Sequence, residues 1–228
     1  MEDTGFPDDG SGIPIANSAL TLVGTRLIST VNDASKECTL VSQNWDTYRK
    51  AVLRDGLWTF AKEMVVLQAD SPFTPKFGYT TRYALPDNYI RLVQFNNYKG
   101  DSDGDGAPYR LMNGFIYTNM GYANLTYISD VTDVTMFDPL FCEALSTYIA
   151  AKLCNTLTGS SNSAELLEKA YKVAMQKARF VDSVEDPSVQ LDSDVWLQSR
   201  VGAPGQFRDP QFATDPSLQF PNQPGDDQ

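Results

Sequence analysis

The sequence predicts a mainly α fold with an inserted β subdomain: a four-helix bundle built from both halves of the chain, a central antiparallel β meander, and an extended C-terminal arm. Three observations predict it. Four segments carry helical apolar spacing between start and stop residues, two before residue 57 and two after residue 137. Between them the chain turns aromatic, with residues 73–127 holding 12 of the 23 Phe and Tyr, interrupted by turn signals. The last 43 residues contain six of the 13 prolines and no apolar period, which excludes a helix or a central strand there.

The first helix is expected to be capped by Asn17, with Leu20, Val23, Gly24 and Leu27 at the i, i+3, i+4, i+7 spacing of one buried stripe. The second starts at Asp33 or Ser35, has Glu37 in its first turn, and carries Cys38, Val41, Trp45, Tyr48 and Val52 at steps of three and four. Arg49, Lys50 and Arg54 close it, the charge order that complements the helix dipole, with Gly56 beyond.

The third helix opens with Asp138 as N-cap and Pro139 at its first position. Its stripe runs Phe141, Ala144, Leu145, Tyr148, Ile149, Leu153, Thr156 and Leu157 before Gly159 stops it. The fourth follows after a few small residues, so the two should form an antiparallel hairpin. Its expected cap is Asn162 with Glu165 three residues on, and its apolar side is Leu167, Ala170, Tyr171, Ala174, Ala178 and Val181. Glu165–Lys169 and Glu168–Lys172 have the spacing of favourable pairs.

Turn signals at Pro86-Asp87, Asp101 to Gly106, Asn113-Gly114 and Asn119 to Gly121 divide the aromatic middle into short strands. The clearest unit is Arg110-Leu111-Met112, Asn113-Gly114, Phe115-Ile116-Tyr117, a type I′ hairpin by its Asn-Gly turn. The organisation that results is a flexible acidic N-terminal arm over 1–14, a helical body over 15–185 with the β subdomain at about 62–134, and a Pro-rich acidic arm over 186–228.

A chain of 228 residues can bury a real core. Its net charge of −11 is unevenly placed. Residues 1–12 hold four acids and no base, and 182–228 hold nine acids against Arg200 and Arg208, so the 169 residues between carry 16 acids and 16 bases. A neutral body with acidic arms makes duplex phosphate or an anionic membrane a poor ligand. The absence of histidine removes Ser-His-Asp and Cys-His nucleophile pairs and every His-ligated metal site. Cys38, Cys142 and Cys154 are an odd, scattered set without a CxxC pair, read as buried hydrophobes in a reducing cytosol. The acidic opening is no secretory signal, and no apolar run approaches the roughly 20 residues of a membrane span, so a soluble protein is expected.

Asp101-Ser102-Asp103-Gly104-Asp105-Gly106 copies the first six positions of a calcium loop, but Met112 stands where the bidentate Glu belongs and Pro108 interrupts. An acidic hairpin loop is the better reading. Aromatic strands can stack single-stranded nucleic acid beside a basic groove, yet residues 73–127 hold five bases against four acids. Nothing singles out a carboxylate pair for glycoside chemistry, and there is no GxGxxG, P-loop or GxSxG. No catalytic set, metal site or cofactor is therefore expected; a calcium-binding β module and a carboxylate-based hydrolase are the competing classes.

The second half of the body carries a resemblance. Leu125-Thr126-Tyr127-Ile128-Ser129-Asp130-Val131-Thr132-Asp133, then Met136-Phe137-Asp138-Pro139-Leu140-Phe141-Cys142-Glu143-Ala144-Leu145, then Ala150-Ala151-Lys152-Leu153 and Leu157-Thr158-Gly159-Ser160 follow one another in order. So do Trp58-Thr59-Phe60, Leu85-Pro86-Asp87-Asn88-Tyr89 and Ser193-Asp194-Val195-Trp196-Leu197-Gln198-Ser199-Arg200. The series, covering about 30–200, resembles the head-to-tail adaptor proteins of short-tailed phages, the tail tubular protein A family.

The resemblance implies a non-enzymatic structural protein of the virion, assembled in the host cytoplasm. It implies a dodecameric ring under the portal protein that continues the DNA channel, with its far side toward the tail nozzle and a tail tubular protein B-like partner. Duplex DNA would pass without sequence-specific binding, and an acidic protein that repels it suits sliding. In that family C-terminal arms reach toward the portal. The apolar residues of the arm mark it as more than a solubilising tail. Trp196, Leu197 and Arg200 are the expected contacts to a neighbouring subunit or the portal, with Phe207, Phe212 and Phe220 as lesser ones.

Overall fold

The computed structural model describes residues 5–71, 74, 78–99 and 108–185. They form four helices and two small antiparallel sheets, in the order α1 (Ile13–Val23), α2 (Lys36–Asp55), β1 (Lys62–Val66), β2 (Thr81–Ala84), β3 (Tyr89–Phe95), β4 (Tyr98–Lys99), β5 (Tyr109–Met112), β6 (Phe115–Thr118), β7 (Asn124–Ser129), α3 (Pro139–Thr158) and α4 (Ser161–Glu185). The expected C-terminal arm, 186–228, lies outside the described residues.

Helix α3 is the hub, since α1, α2 and α4 all pack against it. Its ends are set by local chemistry. The Asp138 carboxylate accepts from Leu140 N at 2.7 Å, Pro139 occupies the first turn, and Gly159 ends the helix at φ 71°, a left-handed conformation that a side chain would strain. Burial wraps most of the way round this helix: Phe141, Ala144, Leu145, Ser146, Thr147, Ile149, Ala150, Ala151, Leu153 and Cys154 are all enclosed, while Thr156 of the expected stripe is exposed. Ser146 and Thr147 tolerate burial because each hydroxyl donates to Glu143 O.

Helix α2 is capped by Ser35, which accepts from Cys38 N at 3.3 Å. Its Cys38, Val41, Trp45 and Val52 are buried and Tyr48 is half-buried. Arg49 departs from expectation: it sits inside the protein, 1 % exposed, so it serves a buried ion pair in place of the helix dipole. Its position explains this, because the buried line steps from Trp45 to Arg49 to Val52, four and then three residues.

Three expected boundaries are corrected. Asn17 does not cap α1, which starts at Ile13 with Gly12 as N-cap and Pro14 in its first turn, where a missing N–H costs nothing. The Asn17 amide is used elsewhere: its Nδ2 donates to Ile28 O at 2.9 Å and its Oδ1 accepts from Ile28 N at 2.8 Å, pinning the loop after the helix. Leu27 is accordingly beyond the helix and half exposed. The residues before Ile13 are not a free arm from Gly5 onward, for Phe6 is buried edge-on against Trp45, ring centres 5.1 Å apart. At α4 the cap is Ser160, whose Oγ accepts from Ser163 N, with Asn162 exposed.

The strands do not run as one meander. One sheet has the order β1-β7-β3-β4 and the other β2-β6-β5, so among these pairs only β3–β4 and β5–β6 join sequence neighbours. The β5–β6 turn is the predicted Asn-Gly hairpin, with Met112 paired to Phe115 and positive φ at Asn113 (51°) and Gly114 (77°). Strand β7 enters between β1 and β3 because both of its faces are apolar: Leu125 and Tyr127 point one way and Ile128 the other. Ile128 belongs to the helical core with Trp45, Trp58, Phe141 and Ile149. Leu125 and Tyr127 join Phe95, Tyr83 and Ile116 in a second core between the sheets.

Candidate functional site

The sequence places its site residues, Trp196, Leu197, Arg200, Phe207, Phe212 and Phe220, outside the described residues, so the structure brings none of them together. What it does describe is the exposed surface of the helices and sheets, and the polar clusters beneath it.

The most distinctive surface is the outer side of α4. Ala174, Met175 and Ala178 are buried, and Leu167 and Tyr171 are half-buried, packed toward α3 and α2. Toward solvent, Leu166 and Val173 are 65 % and 63 % exposed, with Ala170 exposed between them. The predicted stripe contained neither Leu166 nor Val173 and counted Ala170 as inward; their seven-residue separation, two helical turns, was the available signal. The expected i,i+4 pairs are not formed either. Glu168 lies 3.8 Å from Lys152 of α3, and Lys177 contacts Glu143 of α3 at 3.2 Å, while Lys169 and Lys172 have no acidic partner among the described residues.

α4 is anchored to the end of α2 through Asp55. The Tyr171 hydroxyl donates to its carboxylate at 2.7 Å, and Arg179 Nη2 donates to its carbonyl at 2.8 Å. Burial, then the adjacent Asp55 carboxylate, pushes the Tyr171 phenol well above its ordinary range.

A groove of about 690 Å³ separates α1 from the start of α3, lined by Pro14, Ser18, Leu22, Cys142, Glu143 and Ser146 among others. Burial, then the Asp138 charge, raises the Cys142 thiol, so this cysteine is a packing residue and a poor nucleophile. On the first sheet, Met64 and Val66 of the edge strand β1 are exposed.

Two polar clusters brace the first sheet, and the first of them ties it to α2. Arg49 donates to Asp46 on its own helix, to Asp130 just after β7 and to Val131 O, and Lys50 reaches Asp46 at 2.6 Å and Asp130 at 3.3 Å. Burial pushes the Asp46 carboxyl up, but hydrogen bonds from Lys50 and Arg49 and their charges outweigh it and hold it below its ordinary value. In the second cluster the Tyr127 hydroxyl donates to Glu63 at 2.7 Å and lies 2.9 Å from Asn88 Oδ1, while Asn88 Nδ2 donates to Glu63 at 3.3 Å. Burial and then Glu63 push the Tyr127 phenol up to about 12. Asp130 and Tyr127 were quoted in the sequence only as members of a recurring run; their partners, 81 and 64 residues away, carry no local signal.

The acidic run Asp101–Asp105 lies outside the described residues, but Met112, at its twelfth position, is in β5 and 39 % exposed. Among the described residues no three acidic or cysteine side chains gather as a metal site, and no helix is long and apolar enough to cross a membrane. Compared with known protein families and with curated proteins, the chain matches none.

Proposed function

We propose that this chain is a structural virion protein, the head-to-tail adaptor of a short-tailed phage, forming a dodecameric ring that joins the portal to the tail nozzle and continues the DNA channel. The observation that carries the reading is the ordered series from Leu125 to Ser160 that resembles the adaptor family. Its members include residues with tertiary work to do: Asp130 receives the buried Arg49, Asp138 caps α3, Phe141 packs edge-on against Trp58 at 5.0 Å, and Gly159 ends the helix. Under this reading α3 with α1, α2 and α4 packed around it is the bundle of the adaptor, the strands are its inserted subdomain, and 186–228 is an extended arm. A neutral body with acidic, apolar-bearing arms also suits an assembly component.

The arm is assigned to the portal or a neighbouring subunit. Its 43 residues reach at most roughly 130–155 Å when extended, enough to cross to another molecule. A docking segment loses ordering entropy and so needs a few large anchors, of which Trp196 is the strongest.

The test is oligomeric state with and without portal, by negative-stain microscopy and sedimentation. A ring that attaches to portal-containing heads is expected. A protein that stays monomeric in both conditions is not an adaptor. Full-length protein should co-sediment with such heads, and a chain lacking 186–228 should remain folded but release; equal co-sedimentation would reduce the arm to a solvated tail.

A further inference from the structure

Strand β1 stands at the end of the order β1-β7-β3-β4 and so has one open side. Leu67 N donates to Ala123 O, which turns the N–H and C=O groups of Glu63, Val65 and Leu67 toward β7. By the alternation of an antiparallel ladder, those of Met64 and Val66 face the open side, where no strand among the described residues pairs with them. Their side chains lie on one face and are 85 % and 65 % exposed. Such an edge takes an extended segment through main-chain hydrogen bonds, and the apolar row beside it asks for apolar residues at alternate positions of that segment.

Proline decides which segment can fill it, because proline has no N–H to give to a ladder. The prolines that exclude a central strand from the arm leave one gap: after Pro187 none occurs until Pro204. No apolar period holds over the whole arm, but inside this gap Val189, Leu191, Val195 and Leu197 fall at alternate positions, with Ser193 between. Beyond Pro204 no run between prolines exceeds five residues, and the one that alternates, 217–220, is shorter than the five residues of β1. The remaining stretches outside the described residues fail as well. Residues 1–4 are too few, 72–73 and 75–77 contain Pro72 and Pro75, and 100–107 has three aspartates and no apolar residue before Ala107. Strand β5 is also an edge, but it follows Asp101, Asp103 and Asp105, which repel a segment carrying Asp192 and Asp194.

We infer that the open side of β1 receives residues 189–197 of a second copy of this chain as an added strand. This deepens, and rests on, the reading that the arm binds a neighbouring subunit. Val189, Leu191, Val195 and Leu197 continue the apolar row of Met64 and Val66, with Trp196 on the opposite face of the added strand. Each copy gives one arm and receives one, a head-to-tail contact of the kind that closes rings.

The experiment uses full-length chains without portal. The photo-crosslinking residue p-benzoylphenylalanine takes the place of the exposed Met64 in unlabelled protein, which is mixed with nitrogen-15 protein of the parent sequence and irradiated. Trypsin separates 180–200 from 201–208 and 209–228, so the linked segment is read by mass spectrometry. A nitrogen-15 peptide 180–200 joined to the peptide bearing position 64 is expected, in a species of twice the chain mass. Asp192→Pro with Ser193→Pro, both outside the compact unit that ends at Pro187, should lower its yield at least fivefold. Asp192→Asn with Ser193→Ala, which keeps both N–H groups, should hold the yield within twofold. The inference is overturned if the link falls on 201–228 or on no arm peptide, or if it joins only unlabelled 180–200 in a species of single-chain mass, the arm then serving its own chain. It is equally overturned if the proline pair leaves the yield unchanged, or if the Asn-Ala pair lowers it as much. Linkage in a protein that never attaches to heads would leave this contact standing and remove the adaptor reading; attachment without linkage would do the reverse.

Discussion

Replacing Arg49 by methionine removes the one buried positive charge among the described residues, held between α2 and the segment after β7. The guanidinium is 1 % exposed, whereas Asp46 and Asp130 are 38 % and 20 % exposed at their side chains. Removing one partner of a buried ion pair costs about 3–5 kcal/mol, because the other is left uncompensated. Here both carboxylates keep Lys50 and some water, so the low end, about 3 kcal/mol, is expected. At about 2–4 °C per kcal/mol for a chain of this size, the Tm should fall by roughly 6–12 °C. Lys50→Met is the matched control: its ammonium is 43 % exposed, and an exposed pair is worth about 0–1 kcal/mol. Thermal melts and urea midpoints at pH 7 measure both. The Asp46 carboxyl titrates below its ordinary 3.8, so its contribution is present above that value and is lost as pH falls through the lowered one; the gap between wild type and Arg49→Met should narrow there. A Tm within 2 °C of wild type for Arg49→Met, or a loss no larger than that of Lys50→Met, would refute the reasoning.

Asp138→Ala removes the cap of α3 and should cost about 1 kcal/mol, read as a Tm lower by roughly 2–4 °C; an unchanged melt would mean that the Leu140 N–H finds another acceptor. The Tyr127 phenol is raised from 10.0 to about 12, so its stabilisation is intact below pH 10 and is lost as pH rises through 12. Urea midpoints of wild type and Tyr127→Phe should thus differ by a constant amount up to pH 10 and converge above it, and parallel curves to pH 12 would contradict the assignment. EDTA and calcium should each leave the Tm unchanged, given Met112 in place of the calcium loop's last carboxylate; a clear drop on chelation would speak for a bound cation.

Where the chain's signals were local, they were legible. Asp138-Pro139 and Gly159 mark α3 because the cap, the proline and the left-handed stop each act on their own helix end, and Asn113-Gly114 marks its hairpin for the same reason. Asn17 misled because a capping residue and a tertiary clip use the same amide; only the fold shows that its partner is Ile28, eleven residues on. Arg49 misled because a cation in a helix's last turn ordinarily faces solvent, whereas its register puts it on the buried line. Strand order was the least accessible feature: β7 pairs with β1 across some 60 residues, and nothing in either strand names the other.

The alternation of β7 has a mechanical consequence. Since Ile128 is a member of one core and Leu125 and Tyr127 of the other, a single strand forms the shared wall of both. Neither core can melt without stripping that wall from its neighbour, so helices and sheets should unfold in one transition rather than two. The strand also leads directly into Asp130, which Arg49 grips from α2. A pull applied to the outer sheet would therefore travel along β7 and arrive at the helices as a load on an ion pair, with no slack loop between to absorb it.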